Sequence, residues 1–470
     1  MILAWSLVFC GRRIALKGFP HSPDFDSSDI SDCRVTHRLL RFAEHMNYCA
    51  RHLLVAAVFS SLVASSCFAA DWPQWRGLER NGLVSDKELV PTSLSSDPKL
   101  LWRLEIGGGF SSPVVANGKL AYQDVRNGKE TAHLLDAKTG KEIWSTPYAS
   151  EYQDEWGPGP RSTPIIDGDR VYVQSCNGEF RCLKMSDGSV VWGTSFEKDF
   201  GVPFLGSKAN EGTASRRGNN GCGVIDSERL ILPVGGTQGA TLVCFNKLTG
   251  KVLWKAGDDE AAYSSLMVAN LAGQREVVAY TADALMGVKL DDGKILWRVP
   301  LRTNAKRHAM TPVIFGDQIV VNSHTIGMVC FKIIKDSAGQ KAEQAWVNRD
   351  LKINLATPVL IDHHLYCQGA DRDYVCVDAA NGKLDWRQDG LGDKLISTIG
   401  LGKNLLIQTD KGELVLVAAD PAKYHELGRA QICGKGWNHP AYADGKLFVR
   451  EGLTSGWKFS CFDLMPQSAP

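Results

Sequence analysis

The sequence predicts an all-β protein: an eight-bladed β-propeller closed by an N-terminal strand in its last blade. Three observations carry that prediction. A polar residue followed by apolar strand residues recurs at Lys119, Arg170, Arg229, Glu276, Gln318, His364, Asn404 and Lys446, which makes eight copies spaced 40 to 59 residues apart. That spacing accommodates four strands and their turns, the content of one propeller blade. A glycine is also followed four residues later by tryptophan at Gly140/Trp144, Gly188/Trp192, Gly250/Trp254, Gly293/Trp297 and Gly382/Trp386, and Trp346 belongs to the same structural set. Finally, the segment Lys99 to Glu105 carries Trp102 as a blade's fourth strand would, yet it precedes the first copy, while the last copy, ending near Asp463, lacks such a strand. Lending the early strand to the last blade removes the open edge of a circular array.

Taken in order, residues 1–45 are polar, mixed in charge and placed upstream of a leader that should begin near Met46. They read as a mis-assigned or dispensable N-terminal extension. Residues 46–70 read as a signal peptide: Leu53 to Ala64 is a twelve-residue apolar run preceded by Arg51 and His52 and followed by the small residues up to Ala70. A membrane-spanning helix needs about 20 apolar residues, so export to the periplasm or beyond is expected. Ala64-Ser-Ser-Cys67 resembles a lipobox with too small a first residue, and lipidation is the weaker alternative.

Residues 71–470 then form one propeller domain. Each blade opens with a short strand and a tight turn, as in residues 112–118 and 163–169. The glycine of each Gly/Trp pair permits a positive-φ turn between third and fourth strands, and the tryptophan offers the area to pack one blade onto the next. Six residues before those glycines stand Leu134, Cys182, Cys244, Gly287 and Cys376, with Cys330 and Cys461 aligned to the same slot. This reads as a packing position, because equivalent sites on different blades are far apart around a ring. Of thirteen cysteines, Cys10, Cys33, Cys49 and Cys67 precede residue 71, and an odd nine is no disulfide framework. Cys176 with Cys182, and Cys367 with Cys376, are candidates to bridge one hairpin each.

Function is less legible. With 53 Lys+Arg against 52 Asp+Glu and no long basic run, the chain lacks the surface that nucleic acid requires. No P-loop, Gly-x-Ser-x-Gly elbow, His-Glu-x-x-His helix or kinase signature occurs. Two inter-blade loops, Ser145 to Thr163 and Gly193 to Cys222, are long and should share one face, where binding residues or a channel cap would collect. They supply Trp156, Arg217, Asn219 and Asn220 as candidates. Residues at the starts of inner strands should face the channel, adding Phe110, Arg161, Tyr263, His308, Asn354, Trp437, Asn438 and His439. Aromatic, amide and cationic groups together suit a polar planar ligand or a glycan, and equally a water-filled channel.

The segments Leu134-Leu-Asp-Ala-Lys-Thr-Gly-Lys-Glu-Ile-Trp144 and Cys244-Phe-Asn-Lys-Leu-Thr-Gly-Lys-Val-Leu-Trp254 resemble the tryptophan-docking repeat of the pyrroloquinoline-quinone (PQQ) propeller superfamily. Asp71-Trp-Pro-Gln-Trp-Arg-Gly77 is similar to the start of exported bacterial PQQ-like repeat proteins. The resemblance covers roughly Trp72 to Asp463. It implies either a quinoprotein dehydrogenase or a quinone-free member such as the propeller subunit of the outer-membrane barrel assembly machinery. For a dehydrogenase it implies PQQ stacked between a tryptophan and an adjacent-cysteine disulfide, a calcium ion on carboxylate and amide oxygens, and an aspartate base. No two cysteines are adjacent and no Cys-x-x-Cys-His occurs. Asp154, Glu155, Glu211, Asn219 and Asn220 are the oxygen donors on offer for Ca²⁺. The expectation is a non-catalytic envelope scaffold that binds a protein or polysaccharide partner, with a PQQ-dependent dehydrogenase of alcohols or sugars as the alternative.

Overall fold

A computed structural model describes residues 71–202, 218–303, 306–353 and 355–465. The proposed leader (46–70), the preceding extension and the candidates Arg217 and Asn354 lie outside these residues.

Eight four-stranded antiparallel sheets follow one another along the chain. Blades 1 to 7 span residues 114–150, 165–195, 224–256, 267–300, 313–348, 359–389 and 396–431, each with its strands in sequence order. Blade 8 combines residues 441–463 with the early strand Lys99–Glu105, which pairs with Lys458–Asp463 and sets Trp102 opposite Cys461. The first strand of blade 1 touches the first strands of blades 2 and 8, so first strands line the axis. Second strands begin at the expected polar residues except in blade 4, where pairing starts at Gln274, two residues before Glu276.

The cysteine slot proves to be the cross-strand partner of the tryptophan. Leu134, Cys182, Cys244, Gly287, Cys330, Cys376 and Cys461 pair with Trp144, Trp192, Trp254, Trp297, Trp346, Trp386 and Trp102. Each indole then reaches the next blade. Trp102, Trp144, Trp192 and Trp254 lie against Gly140, Gly188, Gly250 and Gly293, where an added Cβ would sit within 2.6–2.8 Å of the ring. Trp346 meets Gly382 in the same way, at 2.4 Å. These turn glycines all have φ between 70° and 78°. The indole N–H donates to a carbonyl of that next blade, for example Trp144 to Met185 O at 2.9 Å and Trp254 to Leu290 O at 3.0 Å. A buried indole thus supplies apolar area while its one donor is satisfied.

Two seams depart from this pattern. Blade 5 replaces the tight turn with a long hairpin, Gly327–Asp336 and Gly339–Asn348, so Trp297 has no turn glycine to meet. Its N–H donates instead to Glu276 Oε2 at 2.7 Å, and Gln340 of the hairpin reaches back to Leu271 O and Glu276 Oε1. Gly287 is obligatory there, since a Cβ would fall within 2.2 Å of both the carboxylate and the indole. In blade 7 the tryptophan position is Gly428, opposite Leu416.

The candidate disulfides do not form; the cysteines among the described residues are free thiols. Cys376 pairs in register with Tyr366, the residue before Cys367, so strand alternation turns the two sulfurs to opposite faces. Cys182 faces Tyr172, while Cys176 lies beyond that strand with its Sγ 3.3 Å from Asn220 Oδ1.

Residues 71–94 form no sheet of their own and instead close one end of the ring. Trp72 exchanges backbone hydrogen bonds with Val115 of blade 1, and Pro73 O accepts from Ile166 of blade 2. Arg80 donates to Cys222 O and Leu266 O, just ahead of blades 3 and 4. Trp75 Nε1 donates to Thr311 ahead of blade 5, and Arg76 to Thr357 O and Pro358 O ahead of blade 6. Gly82 and Val84 bond Gly400 of blade 7, and Leu89 O accepts from Tyr442 of blade 8. Every blade is therefore tied to this segment.

Candidate functional site

With one end closed, the axis is a blind cavity of about 490 Å³ at the face where inner strands begin. Trp75 and Arg76 contribute to its lining from the N-terminal segment. Of the sequence candidates, Phe110, Trp156, Arg161, Asn220, Tyr263, Trp437 and His439 line it. Asn219, His308 and Asn438 do not: all three are buried. Asn219 and Asn438 hydrogen-bond the backbone of Cys176 and Ser111, and His308 stacks on Tyr280 at 4.1 Å with Nδ1 2.6 Å from Thr281 O. Arg307 and Lys394 line the cavity although no sequence pattern singled them out.

The first long loop is shorter than expected, because the last strand of blade 1 continues to Ser150. Beyond it, Gln153–Asp154 pairs with Gly157–Pro158 in a small hairpin that crosses the mouth toward blade 8. Trp156 at its tip meets Trp437 at 5.6 Å, and Gly157 packs against Phe110 and the Leu453 carbonyl. Phe110 stacks on Trp437 at 6.0 Å and 29°. The hairpin is held by Asp154, which accepts from Trp156 N, Tyr152 Oη and Arg161 Nη2, the last at 2.6 Å. Burial would raise the Asp154 pKa, but the Arg161 guanidinium and these donors outweigh it and hold the group below the ordinary carboxylate value. Arg161 in turn lies over Phe110 and Tyr152, at 5.4 and 5.1 Å.

At the inner end, Arg76 is buried with only carbonyl partners, and burial lowers its pKa to about 9. Burial, with Arg76 nearby, pushes His439 down to about 3, so its imidazole is neutral at pH 7. Its ring stacks on Trp72 and meets the edge of Trp75.

PQQ with calcium does not fit this donor set. No Asp or Glu among the described residues lines the cavity, whereas Ca²⁺ takes six to eight oxygens that include carboxylates. Asp154 is committed to Arg161 and Asn220 Oδ1 to the Cys176 thiol; Asn219 Oδ1 is buried away from the cavity lining, Glu155 is exposed and outside that lining, and Glu211 lies outside the described residues. Among the described residues, no three His, Cys, Asp or Glu side chains are grouped to hold a metal ion.

The chain is 22% identical over 434 residues to the outer membrane protein assembly factor BamB of Shewanella oneidensis, a match covering 84% of this chain and 95% of the relative. Among solved structures, BamB from Moraxella catarrhalis superposes with a TM-score of 0.52 at 12% identity, covering 77% of this chain and 97% of that one. The quinohemoprotein alcohol dehydrogenase ADHIIG from Pseudomonas putida HK5 superposes with a TM-score of 0.54 at 12% identity, covering 85% and 82%. At such identities these structures share the fold, which hosts both a dehydrogenase and an assembly factor. Residues 86–199 and 128–388 match the family model described as outer membrane protein assembly factor BamB, and the chain belongs to that family of PQQ-like propellers.

Proposed function

We propose that this protein is an exported, non-catalytic scaffold of the cell envelope that binds a protein or polysaccharide partner through the face bearing the 153–158 hairpin. The observation that carries this reading is the cavity lining: it presents aromatic and cationic side chains and, among the described residues, none of the carboxylates that a quinone dehydrogenase needs for calcium and for its base. Family membership and the BamB relative support an envelope partner, and the leader read at residues 46–70 supports export. Trp156, half-exposed at the hairpin tip, offers the kind of aromatic anchor that interfaces use.

A photo-crosslinking side chain at position 156 tests this, with one at Asp187, on the turn face opposite, as control. Defined envelope adducts from position 156 and none from 187 are expected, and they should vanish when residues 204–216 are removed. Equal adducts from both positions would overturn the reading. So would saturable PQQ and Ca²⁺ binding with dye reduction on alcohols or sugars, which would restore the dehydrogenase alternative.

A further inference from the structure

Among the described residues, the charged side chains that line the cavity are all cationic. Arg76, Arg161, Arg307 and Lys394 line it, and among the described residues no carboxylate does. Asp154, behind the wall, meets Arg161. Lys394 is exposed and holds its Nζ 5.8 Å from the ring centroid of Trp437, the same ring that packs against Phe110 and Trp156. A wall of aromatic rings, Trp437 tilted 29° to Phe110 and 51° to Trp156, therefore stands beside a cation in a concave site, where low-dielectric walls focus the positive field. The volume falls in the range of about 300–1,000 Å³ typical of small-molecule sites.

We propose that this cavity is a calcium-independent binding site for a small ring compound bearing a carboxylate, either a sugar acid or an aromatic acid. The ring lies against Trp437 and Trp156, and the carboxylate turns toward Lys394. A neutral ring compound would gain the stacking without the charge, and a cation would be repelled. This site goes beyond the scaffold reading and stands whether or not a macromolecular partner binds the same face.

The test is calorimetric titration of the purified protein, in EDTA, with galacturonate and quinoline-2-carboxylate against their neutral counterparts galactose and quinoline. At least one acid should bind at one site per chain, at least about tenfold more tightly than its neutral counterpart, and more weakly as salt is raised. Lys394→Glu should weaken that acid at least about tenfold, by reversing the charge it meets. Trp156→Ala, at a half-exposed tip, should weaken the acid and its neutral counterpart alike, and thermal melts check that both variants fold. Binding of galacturonate alone marks the source as an acidic polysaccharide or its fragments; binding of the quinoline acid alone marks a free aromatic acid. The proposal falls if neither acid outbinds its neutral counterpart, or if both folded variants bind the acid as the parent does. Either failure leaves the crosslinking result unaffected.

Discussion

Leu94 packs onto Gly428, at the register position that tryptophan holds in the other seven blades. A Cβ on Gly428 would stand 2.6 Å from the Leu94 carbonyl oxygen and 3.0 Å from the Leu94 Cβ. The seam between blades 7 and 8 is thus filled from the N-terminal segment, and Leu94 joins one apolar cluster with Leu416, Ala430, Tyr442 and Phe448. Leu94→Ala should cost about 2–4 kcal/mol, as for a buried leucine whose site cannot collapse. Denaturant unfolding reads this directly, and a cost below about 0.5 kcal/mol, the level of a surface change, would refute the surrogate role.

The turn glycines serve two ends, conformation and close approach, and two positions separate them. Gly118 and Gly250 have φ of 70° and 71°, but a Cβ on Gly118 meets nothing within 4 Å while one on Gly250 would stand 2.6 Å from the Trp192 ring. Gly118→Ala should cost about 1–2 kcal/mol, the left-handed penalty alone. Gly250→Ala should cost clearly more, because the indole must move off the next blade. Equal losses would mean that the tryptophan contact adds nothing.

Arg76 binds three carbonyls, those of Asn81, Thr357 and Pro358. Replacing it with Met leaves them buried without a donor, at about 1–3 kcal/mol for each that water cannot reach. Lysine should not restore stability, since a single ammonium lacks the planar fork that spans the three. Full rescue by Arg76→Lys in thermal melts would show that charge, not geometry, is what the segment needs.

Glu276 is buried against Trp297 and Gln340, and burial pushes its pKa up to about 7. The unfolded value is about 4.3, so the native state holds a proton that the unfolded state releases. Stability from this group is complete below that pH, is lost as pH rises toward 7, and is flat above. The loss is about 4 kcal/mol. Glu276→Gln, which cannot ionise, should remove this slope from stability measured between pH 5 and pH 8; an unchanged slope would place the titrating group elsewhere.

The blades were legible because they repeat. Gly250 and Trp254 announce a turn and a seam through a fixed offset, and the same offset recurs in five of the eight blades. Three channel candidates, His308, Asn438 and Asn219, missed the cavity by one residue, and alternation explains that error; Lys394 lies near no candidate. Arg307 and Ala309 line it while His308 turns to Tyr280; Trp437 and His439 line it while Asn438 turns away; Asn220 faces in and Asn219 does not. A periodicity of two is fixed only by pairing partners, and these residues precede the strand, where no partner sets the phase. The N-terminal segment was opaque for a different reason. Arg76 finds Thr357 and Pro358 more than 280 positions away, with no repeat to signal the meeting.

The segment that touches all eight blades also dictates an order of events. Leu89 is bonded to Tyr442 and Glu88 to Gly445, 353 and 357 positions later. Trp102 finds its strand partner only when Cys461 arrives. The first residues of the propeller in sequence are therefore the last to be secured. Until the eighth sheet is complete, Trp72, Leu94 and Trp102 lack the part of their cluster that Tyr442, Phe448 and Phe459 supply, and loop-closure entropy over almost the whole chain weighs on that final step. A molecule delivered amino end first would carry three large apolar side chains incompletely covered throughout its emergence, and loss of the strand Lys458–Asp463 would release both ends at once.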